Sequence, residues 1–191
     1  MEKYKQELRA LLSEAMPGRE GALVFGDGPA CPKLMLIGEA PGEQESLQGR
    51  PFVGKAGKNL DRFLELAGLK REEIYISNAV KIRPTKIGKS GRVSNRPPTR
   101  EEVALFRPWL LREIELIRPS AIATLGNVPL QALAGGKQTV GQVHGTWVSS
   151  EEGIRLFALY HPASLIYNRS LEPVYEEDVR ALARQIGRVD D

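Results

Sequence analysis

The sequence is poor in the residues that build covalent or metal frameworks. It holds one cysteine, Cys31, in 191 residues. That excludes an internal disulfide network and any zinc or iron–sulfur site ligated by several of its own cysteines. Cys31 sits between Ala30 and Pro32, just ahead of an apolar run, and reads as a buried or bystander thiol. Long apolar runs are missing as well, since none approaches the ~20 residues needed to span a bilayer. Residues Met1 to Ala15 mix charge with Leu and Ala, with no apolar signal core and no small-residue cleavage site. Internal repeats are absent. A cytoplasmic monomer with no membrane partner and no cofactor is the expectation.

What is present looks globular. Hydrophobic residues make up 41% and charged residues 27%, which argues against disorder and fibrous classes. The length fits one domain with a sizeable core. Net charge is only +3, but its distribution is uneven. Between residues 81 and 100 lie Lys81, Arg83, Lys86, Lys89, Arg92, Arg96 and Arg100, with no acidic residue among them. Alone, such a stretch is a solvated basic loop; beside a pocket it is a contact for a phosphate backbone.

Apolar runs rich in β-formers alternate with helical patterns. KLMLIG (33–38) reads as a buried strand, IYIS near Ser77 as a second, Ala121–Leu125 as a third and Ile154–Tyr160 as a fourth. Gly145–Val148 reads as a short extra or edge strand. Ala56, Leu60, Phe63, Leu64 and Ala67 share a helix face that Gly68 closes. Thr99 and Glu102 form a capping-box pattern ahead of a helix with Phe106, Leu110 and Ile114 on one side, and Pro119 stops it. Gly88 and Gly91 mark the basic stretch as a loop. The fold class is α/β, a single-domain three-layer α/β/α sandwich around a central, mainly parallel four-stranded sheet. A helix over about 1–15 precedes a core over about 24–188.

Ligand sites of such sheets gather at the carboxyl ends of the strands. The segments 38–54, 78–100, 126–129 and 161–166 therefore share one rim. The first, GEAPGEQESLQGRPFVGKAG, has Gly38 and Gly42 for a sharp turn and Pro41 to fix it. It matches neither the dinucleotide fingerprint nor the phosphate-binding loop ending in Gly-Lys-Ser/Thr. Phe52 is either a satellite core residue or a flat surface for a nucleobase. Asn78 is either a strand-end turn residue or a reader of a base edge through one donor and one acceptor. His161, one of two histidines, either caps its strand or donates to an oxygen gaining negative charge. His144, between Val143 and Gly145, reads as structural.

In this order the segments Gly38–Gly42, Gly49–Gly57, Asn78–Lys81 and His161-Pro162 resemble family 4 uracil-DNA glycosylases and their relatives in the same superfamily. The resemblance runs from about Val24 to the C-terminus. It implies a repair glycosylase that flips uracil out of DNA and hydrolyses its N-glycosidic bond, with uracil-containing DNA as partner. Carried over, Gly38, Ala40, Pro41 and Gly42 shape the base site, Phe52 stacks on uracil and Asn78 bonds its polar edge. His161 stabilises the leaving anion, Glu45 ranks first for orienting water and Glu39 shapes the pocket or loop. Lys81, Arg83, Lys86, Lys89, Arg92 and Arg96 are DNA contacts, with Gly126, Asn127 and Ser164 at flanking phosphates. Leu165 takes the place of a wedge in the vacated base stack, or is simply core.

Three departures stand out. The family's four cysteine ligands to an iron–sulfur cluster have no counterpart, and Ile82 and Phe106 occupy two of those places, so apolar packing is expected there. The family's Glu-Asp pair is Glu45-Ser46. The connection from Arg83 to Asn95 is longer than usual, yet lacks the histidine with which a related branch traps the sugar. A glycosylase leaving an abasic site is the first reading. A non-catalytic binder of uracil-containing or damaged DNA is the second, and an enzyme of free nucleosides or nucleotides a distant third.

Overall fold

In a computed structural model, residues 1–18, 22–150 and 152–187 are described; the expected core limit at residue 188 lies outside them. Strand β1 (Leu34–Gly38) is buried along its whole length. Its side chains alternate between two apolar clusters. Leu34 and Leu36 join residues of α3 (Lys55–Leu66) and α8 (Glu172–Ile186), while Met35 and Ile37 join those of α4 (Arg100–Ile117) and α5 (Asn127–Ala134). A strand covered on both faces needs such an unbroken apolar run.

Strand β2 (Tyr75–Asn78) pairs with one edge of β1 and β5 (Ala121–Leu125) with the other, both parallel. Next comes parallel β7 (Arg155–Leu159), then β6 (Trp147–Ser149), antiparallel at the edge. The order β2-β1-β5-β7-β6 makes a five-stranded sheet. The three-layer architecture is as expected, but the sheet has five strands rather than four. The fifth is the edge segment that three residues and partial burial left ambiguous in the sequence. The capping box at Thr99 and Glu102 forms as read, each backbone N–H donating to the other side chain.

Helix α1 (Glu2–Ala15) buries Tyr4, Leu8 and Leu12 against Val80, Ile82 and Phe106. Ile82 and Phe106 are both fully buried in this hydrocarbon packing. These residues offer no thiolate, so they do not fit the iron–sulfur cluster of the family, and Cys31 is exposed rather than buried.

Two segments differ from the sequence reading in ways that shape the rim. Residues 43–48 form a short helix, α2 (Glu43–Gln48), rather than loop. The basic stretch is an antiparallel ribbon of β3 (Thr85–Ile87) and β4 (Val93–Asn95), with Thr85 opposite Asn95 and Ile87 opposite Val93. Gly88 donates to the Arg92 carbonyl at 2.9 Å and Gly91 has φ +75°, so the glycines that suggested a loop make the hairpin turn. Two further single-turn helices, α6 (Val140–Val143) and α7 (Ser164–Tyr167), complete the rim.

Candidate active site

The chain leaves β1 toward β2 and returns on its other side at β5, so the carboxyl ends of these strands open a crevice. A pocket of about 460 Å³ occupies it, lined by Phe52, Asn78, His161, Glu45 and the loop after β1. The structure brings these expected residues together at one rim. Ala40 and Gly42 also line it, while Pro41 is buried behind the turn.

Gly38 explains how the base-sized slot forms. A Cβ there would sit 2.5 Å from Asn78 Oδ1 and 2.6 Å from the Phe52 ring. Only glycine lets the ring and the amide close on the strand end. Phe52 is 5% exposed and belongs to the core while also lining the pocket. Its backbone is left-handed, φ +53°, which costs a non-glycine residue about 1 kcal/mol or more. Gly57 of α3 holds it there, since a Cβ at 57 would meet the Phe52 carbonyl oxygen at 1.9 Å.

Asn78 is 2% exposed, and its Oδ1 is buried with no hydrogen-bond partner among the described residues. Below it lies a polar network. Lys81 Nζ donates to the Asn78 carbonyl (2.8 Å), Ser77 Oγ (2.6 Å) and Glu113 Oε2 (2.5 Å), and Tyr75 donates to the same carboxylate. Lys81 and Glu113 are both fully buried. Lys81 is thus not a DNA contact: its stem turns under the strand to meet an acid on α4. It anchors the backbone that carries Asn78.

His161 faces the Phe52 ring at 5.7 Å between centroids. The Ala163 N–H donates to His161 Nδ1 at 3.1 Å. A backbone N–H can only donate, so Nδ1 is the acceptor and the ring proton sits on Nε2. Burial pushes the imidazole pKa down to about 4, with the Glu45 carboxylate opposing that shift. The group is therefore a neutral N–H donor near pH 7. A Cβ at Gly126 would lie 3.2 Å from His161 Cβ, so the β5 turn packs directly behind the histidine.

Glu45 is fastened. Gly42 N–H donates to Oε2 at 3.1 Å, and Val53 and Gly54 N–H donate to Oε1 at 2.9 and 2.7 Å. It closes the first turn of α2 and ties both halves of the loop together. Oε2 accepts one backbone hydrogen bond, against two at Oε1, and Glu45 lines the pocket. Glu39 does not line the pocket; burial holds its carboxyl above the usual range. The Ser46 hydroxyl is buried without a partner among the described residues.

Other expected DNA contacts divide. Arg96 forks onto Glu102 at 2.7 Å through both terminal nitrogens and also donates to the Thr85 carbonyl, so it fastens the hairpin. Arg83 donates to Asn95 and Glu43, bracing hairpin against α2. Lys86, Lys89 and Arg92 are exposed. The Gly126 N–H is spent on the Leu159 carbonyl and is not free for phosphate. Asn127 Oδ1 accepts from Val140, leaving its amide N–H groups outward. Ser164 is half-buried. Leu165 is 6% exposed within the main core cluster and cannot wedge into DNA; the neighbouring Ile166 and Tyr167, 45% and 89% exposed, project instead. A single helical turn shows no periodicity that would have told these apart. The sequence reading also missed Asn95 and Lys55, both of which line the pocket. His144 bonds Asp178 at 2.8 Å and packs on Tyr160, as a structural residue does.

Residues 25–183 match the uracil DNA glycosylase superfamily model. A type-4 uracil-DNA glycosylase of Saccharolobus solfataricus is 41% identical over 82% of this chain and 73% of its own length. One from Sulfurisphaera tokodaii is 34% identical over 95% and 83%. Among solved structures, the Pedobacter heparinus protein SMUG2 shares the fold, with a TM-score of 0.53, 14% identity and coverage of 81% of this chain and 75% of that one. The chain belongs to the uracil-DNA glycosylase superfamily.

Proposed function

We propose that this protein excises uracil from DNA by hydrolysing the C1′–N1 glycosidic bond, leaving an abasic site. The observation that carries this reading is the buried, unpartnered Oδ1 of Asn78 beside the neutral Nε2–H of His161. An unmet buried acceptor costs about 1–3 kcal/mol, and a flipped base with an N–H at the right edge repays it. Uracil N3–H donates to Asn78 Oδ1, the Asn78 amide donates to O4, and Phe52 stacks on the ring. Cytosine has a lone pair at N3 and leaves Oδ1 unmet.

As C1′–N1 breaks, its electron pair moves onto uracil and its charge spreads to O2. The His161 Nε2–H donates to that oxygen, most strongly when the charge is greatest. The sugar becomes cationic at C1′, and the fixed Glu45 carboxylate stabilises it and orients a water through Oε2. That water adds to C1′ and passes its proton to the Glu45 carboxylate, from which it goes on to the released uracil anion or to solvent. The pocket is built by one chain, which supports action as a monomer. Tyr167 and Ile166, next to the buried Leu165, fit the vacated base position.

An oligonucleotide with one uracil, incubated with the protein and then treated with alkali, tests this. Alkali-dependent cleavage at uracil and none at cytosine is the expected result. Retained binding with no cleavage would replace this reading with that of a non-catalytic binder. Strand breakage without alkali would point to Lys55, at the pocket mouth, as an amine nucleophile.

A further inference from the structure

Among the described residues, large apolar side chains that remain exposed concentrate around the pocket. Leu47 on α2, Ile87 and Val93 on the hairpin, and Ile166 and Tyr167 on α7 all belong to elements that contribute pocket-lining residues or immediately follow one. The hairpin is the unexplained part. Side chains alternate faces along a strand, and directly opposed residues share a face. Asn95 lines the pocket, so the face of β4 that carries it also carries Val93, two residues outward. Thr85 opposes Asn95 and Ile87 opposes Val93. Ile87 and Val93, 76% and 49% exposed, thus form a cross-strand apolar pair one step beyond the pocket wall. Lys86, Lys89 and Arg92 are exposed on the same hairpin, Lys86 opposite Ser94 on the other face and Lys89 in the turn, and no acid lies between residues 81 and 100. Arg83 and Arg96 fasten the base of the ribbon to α2 and α4, so the pair is held at a fixed place.

We infer that Ile87 and Val93 form a second apolar contact with DNA, packing on the bases that flank the flipped nucleotide, while Lys86, Lys89 and Arg92 lie along the adjoining phosphates. Water-exposed apolar side chains on a ribbon that also exposes cations suit a partner with apolar faces on a polyanionic backbone. Unstacked bases are such a partner. The contact deepens the proposed glycosylase reading and rests on it for the flipped nucleotide.

The test separates the two. Binding is measured to an oligonucleotide carrying a stable abasic analogue with 2-aminopurine as its neighbour, so no bond cleavage is needed. Ile87→Thr with Val93→Thr keeps β-branched strand residues and removes the apolar surface. The double variant should bind about tenfold more weakly. It should show less change in 2-aminopurine fluorescence and the same dependence on salt as the parent. Lys86→Ala with Lys89→Ala should instead lower the salt slope by ~2. Unchanged affinity and fluorescence in the threonine variant, or a loss accompanied by a lower salt slope, overturns the apolar contact. A parent protein that binds this DNA but releases no uracil from a separate uracil-containing oligonucleotide ends the glycosylase reading and leaves the hairpin result standing.

Discussion

Lys81 and Lys86 lie five residues apart in the same acid-free stretch, and they do opposite things. Lys81 is fully buried on Glu113 and the Asn78 carbonyl, whereas Lys86 is exposed on the hairpin. The contrast extends to the regions they serve. The inner pocket wall rests on core residues: Phe52 and Asn78 line it and Lys81 lies behind Asn78, each at most 5% exposed. Its polar atoms are fixed by the protein, apart from those aimed at a ligand. The rim beyond it exposes apolar and cationic side chains on short elements. Chemistry that stabilises a transition state needs groups that do not reorganise, and burial supplies that. A polymer that must be reached and released calls for an exposed, charged surface.

The sharpest way to break this contrast is to remove its buried half. Lys81→Met leaves the Glu113 carboxylate without its cation in the core and should cost about 3–5 kcal/mol of stability, read by denaturant unfolding. Adding Glu113→Leu should restore most of that stability but not activity, because the Asn78 carbonyl still lacks its anchor. Full activity in the double variant would show that the network serves stability alone. His161→Ala should come next, with kcat falling roughly 10²–10³-fold and affinity for uracil-free DNA nearly unchanged. Equal losses in both would place His161 in binding rather than in the chemical step.

Both predictions rest on residues whose presence near the pocket was legible, though not all their roles were. Phe52, Asn78 and His161 stood out because each follows a strand end or sits in the turn-rich loop beside one, and a parallel sheet collects those places. The roles of Lys81 and Arg96 were not legible. Their partners, Glu113 and Glu102, lie on a helix whose contact with the strand only the folded sheet reveals. Leu165 and Tyr167 are two residues apart on one turn, too short to show a buried face. The hairpin had a faint signal in TKI and VSN on either side of a glycine turn, but three-residue strands are near the lower limit of any pattern. Four main strands were plain because both faces are covered, and β6 was ambiguous because only an edge is.

Protonation probes the buried wall without mutation. His161 titrates near 4 in the folded protein, against an ordinary value of 6.5. Between those values an unfolded chain takes up a proton that the folded one refuses, so stability is complete above about 6.5 and falls as pH drops toward 4. The half-buried ring limits the effect to on the order of 2 kcal/mol. Unfolding of the parent and of His161→Gln, compared from pH 7 to 4.5, should differ in slope in that direction. Parallel curves would mean that the imidazole is not held neutral.

The smallest effects belong to the rim and have a different signature. Lys86, Lys89 and Arg92 are exposed, and on the proposed DNA each would make only a screened contact with phosphate. Lys89→Ala should weaken DNA binding by less than about tenfold at moderate salt and lower the slope of log affinity against log salt by ~0.9. It should do so equally for DNA with and without uracil, because phosphates carry no base identity. The parent's preference for uracil DNA should survive intact. A change in that preference would move Lys89 from the rim into the pocket's business, and the division drawn between Lys81 and its neighbours would fail at that residue.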